Sequence, residues 1–164
     1  MTYSKLQIFL HWFSAAVILW AMTSGFYVAF SDASPSLKSA IGFFNVSITT
    51  VLIPFFGLRL YLALANPPPR PTCCAEWAAL IAHKAIYATT VIVLATGVLM
   101  MDRDIDVFHL ATLPHPLSDA AVIAAMNKAH RYACMVLAAL LILHVAAVIK
   151  HHALGNPVLR KMRW

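Results

Sequence analysis

Charged residues are scarce in this chain, and acidic ones especially so. Only 11% of its 164 residues are charged, with 6 Asp and Glu against 12 Lys and Arg, whereas 62% are hydrophobic. Soluble domains carry roughly 25% charged residues and are about half apolar. The shortage of charge therefore excludes an ordinary soluble domain and indicates an integral membrane protein. The net charge of +6 gives no reason to invoke nucleic acid.

Cysteines are too few for a disulfide framework. There are 3, of which Cys73 and Cys74 are adjacent in a loop and Cys134 lies in an apolar segment. Structural disulfides are rare in reducing compartments, so none is expected. A metal site at the adjacent pair is disfavoured because no second cysteine pair matches it.

Long apolar runs occupy most of the sequence. A spanning helix needs about 20 mostly apolar residues, and four segments qualify, namely 6–30, 39–64, 80–101 and 130–149. The first is longer than the apolar core of about 7 to 15 residues in a cleavable signal peptide, and no repeat is visible. We predict an all-α fold, an integral membrane four-helix bundle that forms a single domain over residues 1–164.

Basic residues concentrate on one side of the predicted spans. The side that carries both termini and the middle loop contains Lys5, Arg59, Arg70, Lys84, Lys150, Arg160, Lys161 and Arg163. The opposite side contains Asp32, Asp102, Asp104, Asp106 and Asp119. Because cytoplasmic loops carry an excess of Lys and Arg, both termini are expected in the cytoplasm, where these side chains also meet membrane lipids.

Histidines lie inside the apolar segments, where an ionisable group is costly and usually marks a functional site. His130 and His144 lie about 21 Å apart along one helix and point to nearly the same side. Counting from the ends of the spans places His11 and His144 at the same depth, near the cytoplasmic side. The residue of the second span at the depth of His130 is Asn45.

Two imidazoles that face each other across a bundle suit the axial positions of a haem iron, and bundle cores hold such cofactors. Zinc would need four tetrahedral ligands, and no such cluster converges here. The alternative for a single histidine is a hydrogen bond between helices. A histidine-lined proton or metal transporter is a weaker alternative, because it predicts acidic residues within the spans and there are none.

The order and spacing of several motifs resembles the bacterial cytochrome b561 family. The motifs are "YSKLQIFLHW" at the start, "GLRL" before a proline-rich loop, "HKAIYATTVIVLATGVLMM" in the third span, and two histidines followed by "KHH" in the fourth. The resemblance implies a four-helix protein of the bacterial inner membrane. Such a protein carries two haems b and exchanges electrons with quinone.

Carried over to this chain, the resemblance makes His11 and His144 the axial ligands of a cytoplasmic-side haem. It makes His130 a ligand of a periplasmic-side haem, and Asn45 stands where the family pattern has the remaining histidine. The second haem is then a five-coordinate or weakly ligated site on His130, whose open position would let it bind small ligands or react with oxygen species. Otherwise it takes a ligand from the loop, or is absent. The loop candidates are His109, His115, Met100, Met101 and Met126.

The resemblance also implies cofactor-binding roles for other residues near His11 and His144. His83, with Lys84, suits a quinone headgroup or a haem propionate, because histidine exchanges protons near neutral pH. Arg59 suits a propionate, which a guanidinium binds well, and Trp12 would line the haem edge. Each of these side chains also suits a simple anchor at the membrane surface.

The leading hypothesis is a membrane b-type cytochrome that transfers electrons between the quinone pool and a periplasmic partner, through one or two haems b. It leaves open whether the chain is a quinol-linked oxidoreductase. The acidic loop suits a basic partner such as a cytochrome c, or is simply solvated. The alternative is a non-catalytic or single-haem accessory subunit of a respiratory or photosynthetic membrane complex. A homodimer is compatible with either hypothesis.

Overall fold

The chain folds into four long helices, with a short hairpin before the last. The computed structural model describes residues 4–155. Its elements are α1 (Lys5–Phe30), α2 (Pro35–Ala65), α3 (Cys74–Leu99), β1 (Ile105–Val107), β2 (Ala111–Leu113) and α4 (Ala120–Ala153). All four helices are long and apolar enough to cross a membrane. The predicted all-α four-helix membrane fold is confirmed, with the small hairpin as an addition.

The first residues of α1, α2 and α4 are set by capping side chains and not by the limits of the apolar runs. Ser4 and Gln7 form a capping box at the start of α1, and the Asp119 side chain accepts from two backbone N–H groups at the start of α4. As a result α4 begins at Ala120, well before the predicted start. His130 therefore lies about three turns inside the helix and not at its beginning.

The helices pack as two pairs. Helix α1 packs against α2, α3 packs against α4, and α2 and α3 join the pairs. The buried core between them consists of Val17, Ile18, Leu52, Phe56 and Leu137. Many other large apolar side chains face outwards, which would be unfavourable in water but suits a bundle surrounded by lipid.

The buried hydroxyl groups of the helices, apart from that of Ser47, bond to the backbone of their own helix. Ser14 donates to the Leu10 carbonyl at 2.6 Å, and Thr96 donates to the Ile92 carbonyl at 2.6 Å. Lipid offers no hydrogen-bonding partners, so polar groups in a membrane bundle are satisfied within the protein.

The hairpin is fastened to α2 through Ser47. The Ser47 Oγ donates to the Asp106 carbonyl at 3.1 Å and accepts from the Phe108 N–H at 3.1 Å. Phe108 and His109, at the tip, both have positive φ, which costs roughly 1–2 kcal/mol for each non-glycine residue. Their rings pack on α2, since His109 stacks on Phe43 with centroids 4.6 Å apart.

One end of the bundle is where α1 begins, α2 ends, α3 begins and α4 ends, and we call it the terminal end. The predicted cytoplasmic location of this end stays a prediction. Part of its basis lies outside the described residues, namely Arg160, Lys161 and Arg163.

Candidate functional site

Every helix contributes to a polar cluster near the terminal end of the bundle. The cluster consists of His11 from α1, Arg59 from α2, His83 and Tyr87 from α3, and His144 from α4. Arg59 lies at its centre, because its Nη2 is 2.9 Å from His11 Nδ1 and its Nε donates to the Tyr87 hydroxyl at 3.1 Å. The rings of His83 and His144 meet edge to face, with centroids 5.3 Å apart.

The structure thus brings together four residues that the sequence singled out. His144 touches His83 directly and lies close enough to His11 for their charges to interact. His11 is half-buried, and the His83 ring is partly exposed at the side of the bundle. The cluster therefore contains two half-buried imidazoles, from α1 and α4, and a third that can be reached from outside.

Arg59 determines which nitrogen of His11 carries a proton. A guanidinium only donates hydrogen bonds, so Nδ1 of His11 accepts and the neutral ring has its proton on Nε2. A metal-bound histidine instead donates its free ring N–H to a second group. Iron binding through Nε2 of His11 is therefore compatible with this cluster only if Arg59 moves away from Nδ1.

Trp12 and Lys84 lie at the margin of the cluster. The Trp12 ring meets the His11 ring edge to face at 5.4 Å and is 47% exposed. Lys84 follows His83 and is exposed. Trp12 is thus placed beside a candidate ligand, whereas Lys84 makes no hydrogen bond or ion pair with the cluster within residues 4–155.

A large cavity lies toward the opposite end of the bundle. Its volume is about 970 Å³, and all four helices line it. Most lining side chains are apolar, and the polar ones include Asn45, His130, Lys128 and Arg131, with no Asp or Glu among the lining residues. We call this space the His130 cavity.

His130 is held firmly by α3. Its Nδ1 lies 3.1 Å from the Val93 carbonyl and 3.2 Å from Thr96 Oγ1. A carbonyl can only accept, and the Thr96 hydroxyl proton already goes to Ile92, so Nδ1 carries the proton. The Nε2 atom is therefore the acceptor of the ring, and the Cys134 thiol donates to it, with Sγ 3.5 Å away.

Asn45 belongs to the other wall of the same cavity. Ser24 Oγ of α1 lies 3.0 Å from Asn45 Oδ1, and its one proton is shared between that oxygen and the Trp20 carbonyl at 2.7 Å. This contact ties Asn45 to the α1–α2 pair. His130 is likewise tied to the α3–α4 pair, by the contacts of its Nδ1 with Val93 and Thr96. The cavity is therefore bounded by one imidazole and one amide that come from different helix pairs.

The loop candidates for an additional ligand are placed differently from one another. Met100 and Met101 line the His130 cavity, whereas Met126, His109 and His115 are not among its lining residues. Each loop histidine pairs instead with an aspartate: His109 with Asp106, and His115 with Asp104. Only the two methionines are near the position where a cofactor would lie.

The His130 cavity fits a haem. Its volume is at the upper end of the roughly 300–1,000 Å³ range of ligand sites, and its apolar walls suit a macrocycle. Lys128 and Arg131 make no ion pair within residues 4–155 and suit propionate groups. No group of three or more potential ligands for a bare metal ion occurs within that part of the chain, so a metal carried by a macrocycle fits better.

Several contact residues were missed by sequence reasoning. Tyr87 and Cys134 each follow a candidate histidine by four positions, so helical spacing would have found them. Ser24, Thr96 and Gly97 gave no such signal, because their roles depend on which helices become neighbours. A Cβ added at Gly97 would lie only 3.3 Å from His130 Cε1, so this glycine allows the ring to approach α3.

Comparison with known proteins gives one result. A family model described as prokaryotic cytochrome b561 matches residues 2–164. No curated protein matches the chain. The family match covers all four helices and both levels of histidine residues.

Proposed function

Since the chain belongs to the prokaryotic cytochrome b561 family, whose members are membrane b-type cytochromes that transfer electrons, we propose that it exchanges electrons between quinone and a periplasmic partner. The observation that carries the proposal is the placement of imidazoles at two levels of a membrane bundle. The excess of basic residues at the terminal end supports a cytoplasmic position for that end. The membrane is then the bacterial inner membrane.

In this proposal His11 and His144 hold haem b at the terminal end. Haem b supplies a one-electron carrier. The two rings come from different helix pairs, so a planar group held by both would lie between the pairs. Arg59 leaves His11 Nδ1 when this nitrogen carries the proton, and its guanidinium then pairs with a propionate.

His83 is the proposed contact for quinone. Its ring touches His144 while remaining exposed at the side of the bundle, so a lipid-soluble molecule can reach it from the membrane. An imidazole donates a hydrogen bond to a quinone oxygen and accepts a proton when quinol is oxidised. Proton transfer at His83 would thus take place beside the electron carrier.

The test compares three histidine variants of the purified, haem-loaded protein. His144→Ala should abolish the low-spin haem signal of the terminal end, whereas His83→Ala should keep it and slow reduction by a quinol. His151→Ala is the matched control, since His151 lies two helical turns beyond His144, is exposed, and should change neither property. An unchanged haem spectrum in His144→Ala would show that the ligand assignment is wrong.

A second candidate function is that of an accessory subunit with one haem or none, inside a larger respiratory or photosynthetic complex. It is favoured by Asn45, which departs from the histidine expected at that position. The haem content, together with reduction of that haem by quinol, separates the candidates. A protein that binds no haem would support the subunit without a redox role, whereas a quinol-reducible haem supports the electron carrier.

A further inference from the structure

We propose that the His130 cavity holds a second haem whose iron is ligated by His130 alone, and that its other face binds a diatomic molecule or small anion beside Asn45. The inference rests on the proposed function for the identity of the cofactor. It goes further because it gives the second centre a ligand-binding role in addition to electron transfer.

The first step concerns His130 as a ligand. Its Nδ1–H is shared between the Val93 carbonyl and Thr96 Oγ1, so the ring is oriented with Nε2 as the acceptor, and the partner of Nε2 is the Cys134 thiol at 3.5 Å. This is the arrangement in which a backbone carbonyl fixes the tautomer of a metal-bound histidine. His130 therefore keeps its Nδ1 contacts when it binds iron, and only the Cys134 thiol turns away from Nε2. At His11, in contrast, Arg59 must leave Nδ1.

The second step concerns the opposite wall. Imidazole suits iron, whereas amide and carbonyl oxygens suit harder cations such as Mg²⁺ and Ca²⁺. Asn45 is moreover tied to Ser24 on α1. An iron held by His130 would therefore face an amide that does not replace the missing imidazole but can donate a hydrogen bond to a ligand on the iron.

The third step concerns space on that wall. Gly42 lies three residues before Asn45 and so on the same side of α2, and Gly25 of α1 also lines the cavity. A Cβ at either glycine would meet nothing within 4 Å. The wall that carries the amide thus has room for a small molecule.

The fourth step concerns charge. Lys128 and Arg131 line the cavity on either side of His130 in sequence, and no acidic residue lines it. A cavity with basic and no acidic lining residues favours anions. Two cations suit the two propionates of haem, and they also attract a small anionic ligand.

The experiment measures haem content and carbon monoxide binding in the reduced, haem-loaded protein. Wild type should hold two haems per chain. One of them should show a high-spin spectrum in the absence of carbon monoxide and should bind carbon monoxide when it is added. Asn45→His should keep both haems, convert the second to a low-spin form and abolish carbon monoxide binding. His130→Ala should lose only the haem that binds carbon monoxide.

Two results would overturn the inference while leaving the proposed function intact. One is a wild-type protein with a single haem that is lost in His144→Ala and retained in His130→Ala. The other is a protein with two haems that binds no carbon monoxide, because a side chain then fills the sixth position. Gain of carbon monoxide binding in Met100→Leu or Met101→Leu would identify that side chain. Absence of any haem from wild type would overturn both proposals.

Discussion

The Arg59 guanidinium lies 2.9 Å from Nδ1 of His11, so a group that only donates hydrogen bonds faces this nitrogen. At His130 the arrangement is reversed, since the Val93 carbonyl, which only accepts, faces Nδ1. The two imidazoles therefore carry their protons on opposite nitrogens. His130 already has the tautomer of a ligand that binds through Nε2, whereas His11 acquires it only when Arg59 moves.

The first prediction concerns the charge of Arg59. Replacing it by Gln removes a cation beside the haem of the terminal end, which favours the oxidised form and lowers the reduction potential. For a charge roughly 10 Å from the iron at an effective dielectric constant of about 20, the effect is at most about 1.7 kcal/mol, or ~70 mV. Potentiometric titration of the haem absorbance measures it.

Arg59→Lys is the matched control, because it keeps the charge while losing the planar donor group that reaches both His11 and Tyr87. Its potential should stay close to that of wild type. Equal potentials in all three proteins would show that Arg59 does not lie near this haem.

The second prediction concerns Gly97. In Gly97→Ala the new Cβ lies 3.3 Å from His130 Cε1, so the ring must shift by a few tenths of an ångström. Such overpacking costs about 1 kcal/mol or more, which corresponds to roughly a fivefold loss of haem affinity at the His130 cavity. Haem titration of the apoprotein measures the loss. Gly57→Ala, where an added Cβ meets nothing within 4 Å, should bind haem as wild type does.

If Gly97→Ala binds haem as tightly as the Gly57→Ala control, His130 does not hold the cofactor through the position seen here. The haem of the terminal end serves as an internal reference, because its residues are remote from Gly97 along all four helices. Its spectrum should be the same in both variants.

The third prediction concerns the attachment of the hairpin to α2. Ser47 is fully buried, and Ser47→Ala leaves the Asp106 carbonyl and the Phe108 N–H without their partner. An unsatisfied buried group costs about 1–3 kcal/mol, so the Phe108 amide should exchange its hydrogen roughly 5- to 160-fold faster. Hydrogen exchange with mass spectrometry over residues 105–113 measures this change.

Ser36→Ala is the control for that measurement, since Ser36 is exposed and pairs only with the Ser34 hydroxyl. Its hairpin should exchange as in wild type. Equal exchange in Ser47→Ala and Ser36→Ala would mean that the rings of Phe108 and His109 hold the hairpin without the help of Ser47.

The helices could be predicted from the sequence because each span requires a long apolar run. The candidate ligands His11, His144 and His130 could be chosen because imidazoles in such runs are rare. Other features could not be predicted. The contact between His83 and His144 depends on how α3 and α4 are rotated about their axes, which apolar runs do not determine. The link from Ser47 to Phe108 joins residues 61 positions apart, and no local pattern predicts it.

The last prediction concerns pH and the loop that follows the hairpin. Hydrogen bonds from the His115 ring and backbone N–H hold the pKa of the Asp104 carboxyl below its ordinary value. A carboxyl whose pKa is lower in the folded state stabilises that state above its unfolded pKa of about 3.9, and this contribution is lost as the pH falls through the folded pKa. The loop should therefore stay closed at neutral pH and open in acid. Hydrogen exchange at the His115 amide, which lies 3.1 Å from Asp104 Oδ1, should be protected at pH 6 in wild type but not in Asp104→Asn. Asp102→Asn, an exposed neighbour, should keep the protection, and equal protection in Asp104→Asn would show that the carboxylate charge does not close the loop.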